Sequence, residues 1–197
     1  MLPVKQADSA SLNFAAFVRN NGITDQPNTN VVVDVAFNGA NMFSDTTDSV
    51  TLISGMDHSF DFINAFVPDS GLGLYNLRFE ALTDSVDILP SNNAITNSFE
   101  VSSYQYRRDN DSVNTDNWYN VSHSWEMLLK YEIYAEDTIV ALSTYFPYNF
   151  ATNRGLVEGD SISYYVYEST DLINPISVNE NYKIQLSDVN SWVSLPM

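Results

Sequence analysis

Asp109, Asp111 and Asp116, with Asn110 and Asn114 between them, form the densest group of oxygen donors in this sequence. A hard cation such as calcium collects oxygens of this kind from an irregular loop, so the three aspartates are a candidate calcium site. They lack the central glycine and closing glutamate of an EF-hand loop, and a solvated acidic loop accounts for the same residues equally well. Asp45 and Asp48 make a second, sparser pair of the same type.

Aromatic residues supply the other candidate chemistry. An exposed ring offers flat apolar area with little conformational entropy to lose, which suits it to the face of a sugar. Trp118 and Tyr119 sit together in a turn-rich stretch, and Tyr148 ends the run Tyr145-Phe146-Pro147-Tyr148; these three are the candidate glycan contacts. Tyr164-Tyr165-Val166-Tyr167 is a further run. Core packing is the competing explanation for every aromatic residue in a strand.

Catalytic patterns are sparse. His58 and His123, the only imidazoles, lie in different halves of the chain, so neither a two-histidine metal site nor a compact histidine relay is indicated. There is no Gly-x-Ser-x-Gly elbow, and Gly71-Leu72-Gly73 lacks the third glycine and following helix of a dinucleotide site. Glu126, Glu132 and Glu136 flank one alternating segment and supply carboxylates, the raw material of glycoside hydrolysis, but spacing in sequence does not set their separation in space. Asn110-Asp111-Ser112 and Asn120-Val121-Ser122 match the N-glycosylation pattern, which carries weight only in a eukaryotic secretory setting. The expectation is a chain without catalytic activity and without a cofactor, calcium being the one ligand ion left open.

Charge narrows the partners. Twenty-five acids against eight Lys and Arg give a formal net charge of −17. Binding to nucleic acid or anionic bilayers relies on Lys and Arg displacing counterions, so both are disfavoured. No segment approaches the roughly 18 apolar residues of a membrane helix. Met1-Leu2-Pro3-Val4-Lys5 has no signal-peptide character, so an export signal is expected outside this sequence. With no Cys, disulfides, thiol catalysis and Cys-based zinc sites are excluded.

The elements that must carry these residues read as short strands. Leu12, Phe14, Ala16 and Val18 alternate with Asn13, Ala15, Phe17 and Arg19, a period of two that gives one face to the core. Asn20-Asn21-Gly22 ends that strand as a turn. Val31, Val33, Val35 and Phe37 repeat the pattern and lead into Asn38-Gly39, a dipeptide suited to the positive backbone angles of a tight hairpin. Strands are also predicted over 49–53, 59–67, 74–82, 94–101, 139–146, 161–169 and 182–186. The second and third last of these are apolar on both faces and so predicted to be central in a sheet. Segment 125–135 has a helix alternative, but the alternation from Trp125 to Ala135 predicts a strand. Eleven of twelve Tyr and all three Trp lie from Tyr104 onward, which places a domain boundary near residue 103. The chain stops at Trp192-Val193-Ser194-Leu195-Pro196-Met197 with no turn or polar tail, so the second module reads as truncated, with an open sheet edge able to take a partner strand.

The first half resembles the bacterial cell-adhesion-related, immunoglobulin-like domain. The likeness rests on Val18-Arg19-Asn20-Asn21-Gly22, the strand from Asn30 to Phe37, the stretch from Gly71 to Phe79, and Asp84 to Val101 with Asp87, Asn92-Asn93 and Phe99-Glu100-Val101. Beyond it, Tyr106-Arg107-Arg108-Asp109-Asn110 looks like the connector to a jelly-roll-like module in large exported proteins of the Bacteroidetes type, commonly displayed by type IX secretion. The resemblance implies an all-β chain: an immunoglobulin-like β-sandwich over 1–103 and an aromatic-rich, jelly-roll-like β-sandwich over 104–197. It further implies adhesion, display or spacing at the cell surface or in the extracellular space, within a larger parent chain. Two rivals stay open: a carbohydrate-binding accessory of a secreted hydrolase, and a subunit of an extracellular assembly joined through the open sheet edge to another protein.

Overall fold

The structure, a computed structural model, describes residues 1–68, 71–87, 89–107, 128–149 and 154–197. These residues are overwhelmingly strand and turn, and the fold is all-β. The chain divides into two compact units: unit 1 comprises Met1–Arg108 with Ile133–Ala135, and unit 2 comprises Asp109–Glu132 with Glu136–Met197.

Unit 1 opens with β1 (Leu2–Pro3) and a single helical turn, α1 (Val4–Ala7). It continues through β2 (Ala15–Arg19), β3 (Gln26–Phe37), β4 (Ala40–Thr46), β5 (Val50–Leu52), β6 (Asp57–Asp61), β7 (Gly73–Leu82) and β8 (Ala94–Ser102). Its main sheet has the order β1-β8-β7-β3-β4, with β5 pairing to the first residues of β3. β1 joins β8 in parallel, and the remaining neighbours are antiparallel. The β2–β6 ribbon forms the opposing layer.

The alternation read from the sequence is what builds these two layers. Val31, Val33 and Val35 point inward from β3 and are fully buried. Val31 and Val33 meet Phe60 and Phe62 from the β6 side, together with Ala16 and Val18 of β2. Phe17, one residue out of phase, is 71% exposed. Asn38 and Gly39 take φ values of 51° and 82° between Phe37 and Ala40, which pair across the hairpin. Two successive positive φ angles match the twist of the flanking strands, and this is why an Asn-Gly pair sits there.

A second cluster gathers Leu2, Ala7, Ala10, Val35, Phe66, Tyr75, Leu77 and Val101. Phe37, Tyr75 and Phe99 lie directly opposite one another on β3, β7 and β8, and their rings stack at centroid distances of 4.6 and 5.0 Å. Cross-strand aromatic pairs of this kind are the unit of sheet stabilisation. Phe14 ties the two layers, with its ring edge-on to Phe79 at 5.9 Å.

Unit 2 contains β9 (Ala141–Tyr145), β10 (Tyr148–Asn149), β11 (Arg154–Gly155), β12 (Ser161–Val166), β13 (Ser177–Lys183) and β14 (Trp192–Pro196). They pair as the ribbons β9–β14, β10–β11 and β12–β13, all antiparallel. Among its described residues Phe146, Pro147, Ile184 and Leu195 are buried.

Three sequence expectations change here. β14 is formed by the C-terminal residues that the sequence pattern left out of any strand. Among the described residues β9 and β12 each pair with one strand, where the sequence pattern predicts a central position; the half-buried Tyr145 and the exposed Tyr165 supply the second apolar face of the pattern. Residues 128–135 lie in neither strand nor helix, and the alternating Leu129, Tyr131 and Ile133 are exposed, while Tyr134, of opposite phase, is half-buried.

Candidate functional site

Asp109, Asp111 and Asp116 lie outside the described residues, as do Asn110, Asn114, Trp118, Tyr119, His123 and Glu126. Tyr148 is described: it opens β10, is half-buried, and its backbone N–H donates to Asn190 Oδ1 at 2.8 Å. The preceding Phe146 and Pro147 are fully buried, so that run is core at its centre and surface only at its ends. Tyr145 pairs across the ladder with Trp192, edge-on at 5.8 Å, and Trp192 is 48% exposed.

One ring pair lies at the end of β12, the exposed Tyr165 on the strand and the half-buried Tyr167 just past it. Ser161, Ser163 and Tyr165 occupy one face of this strand, while Ile162, Tyr164 and Val166 occupy the other. Tyr165 is 42% exposed, and the Tyr165 and Tyr167 rings lie nearly parallel, 6.1 Å apart. Val178 stands opposite Tyr165 on β13, and the Tyr165 hydroxyl donates to Glu180 Oε1 at 3.1 Å. That hydrogen bond, and then desolvation, raise the Tyr165 phenol above its ordinary range, with Ser163 opposing. Two flat rings beside a carboxylate offer stacking area together with acceptors for hydroxyl groups.

Behind this face, Tyr164 points inward. Burial raises its phenol, and the Thr144 side chain offsets part of the shift. The hydroxyl nevertheless has no partner in hydrogen-bonding geometry among the described residues.

The acids serve a different purpose. Asp45 accepts from the Thr46 N–H at 2.9 Å and from both the backbone and the side-chain amide of Asn64 at 3.1 Å. Desolvation is the largest single influence on Asp45 and pushes its pKa up, but these bonds together outweigh it and hold the carboxyl below its ordinary range. Both Asp45 oxygens are thus engaged in a loop, and Asp48 adds its backbone carbonyl to the same turn. Asp171 accepts from the Ile173 and Asn174 N–H groups and the Asn174 side chain, which lower its pKa. Asp188 accepts from the Gln185 N–H at 2.8 Å and the Tyr182 hydroxyl at 2.7 Å, and is lowered likewise. Asp87 and Asp160 each accept one backbone N–H across a turn, and Asp25 accepts the Ser54 N–H from a segment 29 residues away. Among the described residues no three of His, Asp and Glu gather as a metal site. His58 lies on the surface, edge-on to the Phe60 ring at 4.8 Å.

Two buried side-chain amides emerge only with the structure, although the turn at Asn20-Asn21-Gly22 is legible in the sequence. Asn20 is buried, donating to the Thr24 and Leu52 carbonyls and accepting from the Gly22 N–H, all at 2.9 Å. Gln6 is fully buried within α1 and bonded to residues 134 and 135. The parity of Ser161-Ile162-Ser163-Tyr164-Tyr165, by contrast, does single out Tyr165 as the outward ring.

No protein family, curated protein or solved structure matches this chain.

Proposed function

We propose that the chain is a non-catalytic structural and adhesive part of a larger secreted or cell-surface protein. In this reading unit 1 is an immunoglobulin-like spacer and unit 2 a jelly-roll-like module, both outside the cell. The observation that supports it most directly is the use made of the acids. Asp87, Asp160, Asp171 and Asp188 each hold a turn through backbone N–H groups, and Asp25 and Asp45 tie the N–H groups of Ser54 and Asn64 from separate segments. Carboxylates used this way stiffen loops and leave a negative, shaped surface. Intact cells of the source, labelled with an antibody against this chain and shaved with protease, test the reading. Surface labelling that the protease removes supports it; labelling only after permeabilisation refutes it.

A second reading, a carbohydrate-binding module, is favoured by the Tyr165–Tyr167 ring pair beside Glu180. A net charge of −17 directs it to neutral glycans, since anionic ones would be repelled. Pull-down on insoluble neutral polysaccharides, lost in Tyr165→Ala, supports this reading, and no retention on any of them counts against it.

A further inference from the structure

A groove of about 350 Å³ lies in unit 1 where β7 begins and β8 ends, lined by Leu72, Gly73 and the run from Glu100 to Gln105. Glu100 pairs with Leu74 on the ladder and so stands on the face opposite to that of Tyr75 and Phe99. It is half-buried, and among the described residues its carboxylate accepts no hydrogen bond and pairs with no cation. A carboxylate partly withdrawn from water favours a cation beside it. Tyr104 is 81% exposed and belongs to a turn closed by Ser102, whose hydroxyl accepts from the Gln105 N–H at 2.9 Å and donates to the Gln105 carbonyl at 2.8 Å. The closed turn fixes the backbone that carries the ring, so stacking a ligand on it costs little further chain entropy. Leu72, also exposed, adds an aliphatic wall.

An unpaired carboxylate, a flat ring and an aliphatic wall in one groove are the complement of a guanidinium group on a methylene stem. The carboxylate takes the N–H fork, the ring takes the planar face, and the wall covers the stem. The formal net charge of −17 draws such a cation in and repels anions. The groove is open along Tyr104 and Leu72, whereas sites for free small molecules enclose most of the ligand's surface. The guanidinium that fits it is therefore carried on a larger body. We propose that this groove docks an arginine side chain of a partner protein, with Glu100 as its counter-ion and Tyr104 as its stacking ring. The site lies wholly in unit 1 and takes a peptide side chain, so it stands independently of the ring pair on β12.

The probe is acetyl-Gly-Arg-Gly-amide, titrated into the isotope-labelled full chain at low salt while the backbone amide resonances are followed. Saturable shifts are expected at Leu72, Gly73 and the run from Glu100 to Gln105. Glu100→Gln and Tyr104→Ala are each expected to weaken binding about tenfold or more, and Tyr104→Phe to retain it, because the ring and not the hydroxyl does the stacking. The same peptide with citrulline in place of arginine keeps the shape and loses the charge, and is expected to bind about tenfold or more weakly. That comparison uses the unaltered chain, so it decides the matter whatever the variants do to folding. Agmatine, a free guanidinium compound, is expected to bind more weakly than the peptide. No saturable shift at millimolar peptide, shifts scattered over the acidic surface, equal binding by the citrulline peptide, or binding indifferent to Tyr104→Ala overturns the proposal. Agmatine binding as tightly as the peptide would assign the groove to a small cation and overturns it as well.

Discussion

Phe17 and Phe60 put the two-layer arrangement of unit 1 to a direct test, because they are the same residue type on paired strands and differ in the face they occupy. Ala16 pairs with Phe60, and Phe17 pairs with Ser59 one step along the ladder. Phe60 is 2% exposed against Val31, Val33 and Phe62, whereas Phe17 is 71% exposed. Aromatic side chains bury roughly 150 to 250 Å² when enclosed. At about 25 cal/mol per Å², and taking the lower end for Phe, removal of the Phe60 ring forfeits about 4 kcal/mol. The range of about 3 to 5 kcal/mol for buried Phe→Ala, with its cavity contribution, agrees. Phe17→Ala removes a ring that remains largely in water, and surface changes of that kind fall within about 0.5 kcal/mol.

Urea unfolding followed by circular dichroism measures both. With a slope of about 1.5 kcal/mol/M, Phe60→Ala shifts the midpoint of the unit 1 transition down by about 2 to 3 M, and Phe17→Ala leaves it within experimental error. A loss of that size is a large share of the roughly 5 to 15 kcal/mol that holds a domain folded. Equal effects at the two positions, or a cost below about 1 kcal/mol at Phe60, would show that the β2–β6 ribbon does not lie face-on against β3. The inward alternation would then be decoration.

Tyr164→Phe removes a buried hydroxyl that has no partner among the described residues, and is expected to raise the midpoint of unit 2 unfolding by up to about 1 kcal/mol equivalent. The folded Tyr164 phenol lies above its ordinary value, so the stability linked to it is complete below about pH 10 and is lost as pH rises through the folded pKa. Alkaline unfolding curves of Tyr164→Phe should therefore be flatter, as followed by phenolate absorbance and circular dichroism. Asp171 and Asp188 have the opposite sign: their depressed pKa values contribute stability above the ordinary aspartate range that is lost as pH falls through the folded values. An Asp171→Asn/Asp188→Asn double variant should show a shallower acid limb, read as melting temperature against pH. Gly155→Ala places a Cβ against the Pro147 carbonyl at a φ of 122°, and is expected to part β10 from β11, visible as lost protection of those amides in hydrogen exchange.

Much of unit 1 was legible because its face-selecting signal is local. The alternation around Phe14, Ala16 and Val18, the valines of β3 and the Asn38-Gly39 turn each declare their geometry within a few residues, and the structure honours each of them. Unit 2 was harder for a physical reason. Paired ribbons with aromatic residues on their outer faces produce an apolar run on both sides of the strand, the same pattern that a buried central strand would produce. Tyr145 on β9 and Tyr165 on β12 create that ambiguity, and only the partner strands β14 and β13 resolve it. For candidate sites the difficulty lies in the kind of information involved. Asp45 looks like a ligand for a cation as long as the amides that occupy it are unknown, and those amides are set by chain geometry more than by residue type. Gln6 is the limiting case, because a buried side-chain amide that binds distant backbone has no period, no motif and no neighbour in sequence to announce it. Its partners stand 128 and 129 residues away. A pattern that measures spacing along the chain registers Tyr134 only as the out-of-phase member of an alternating run, whereas in the structure these residues form no strand and Tyr134 is the ring that packs on the core.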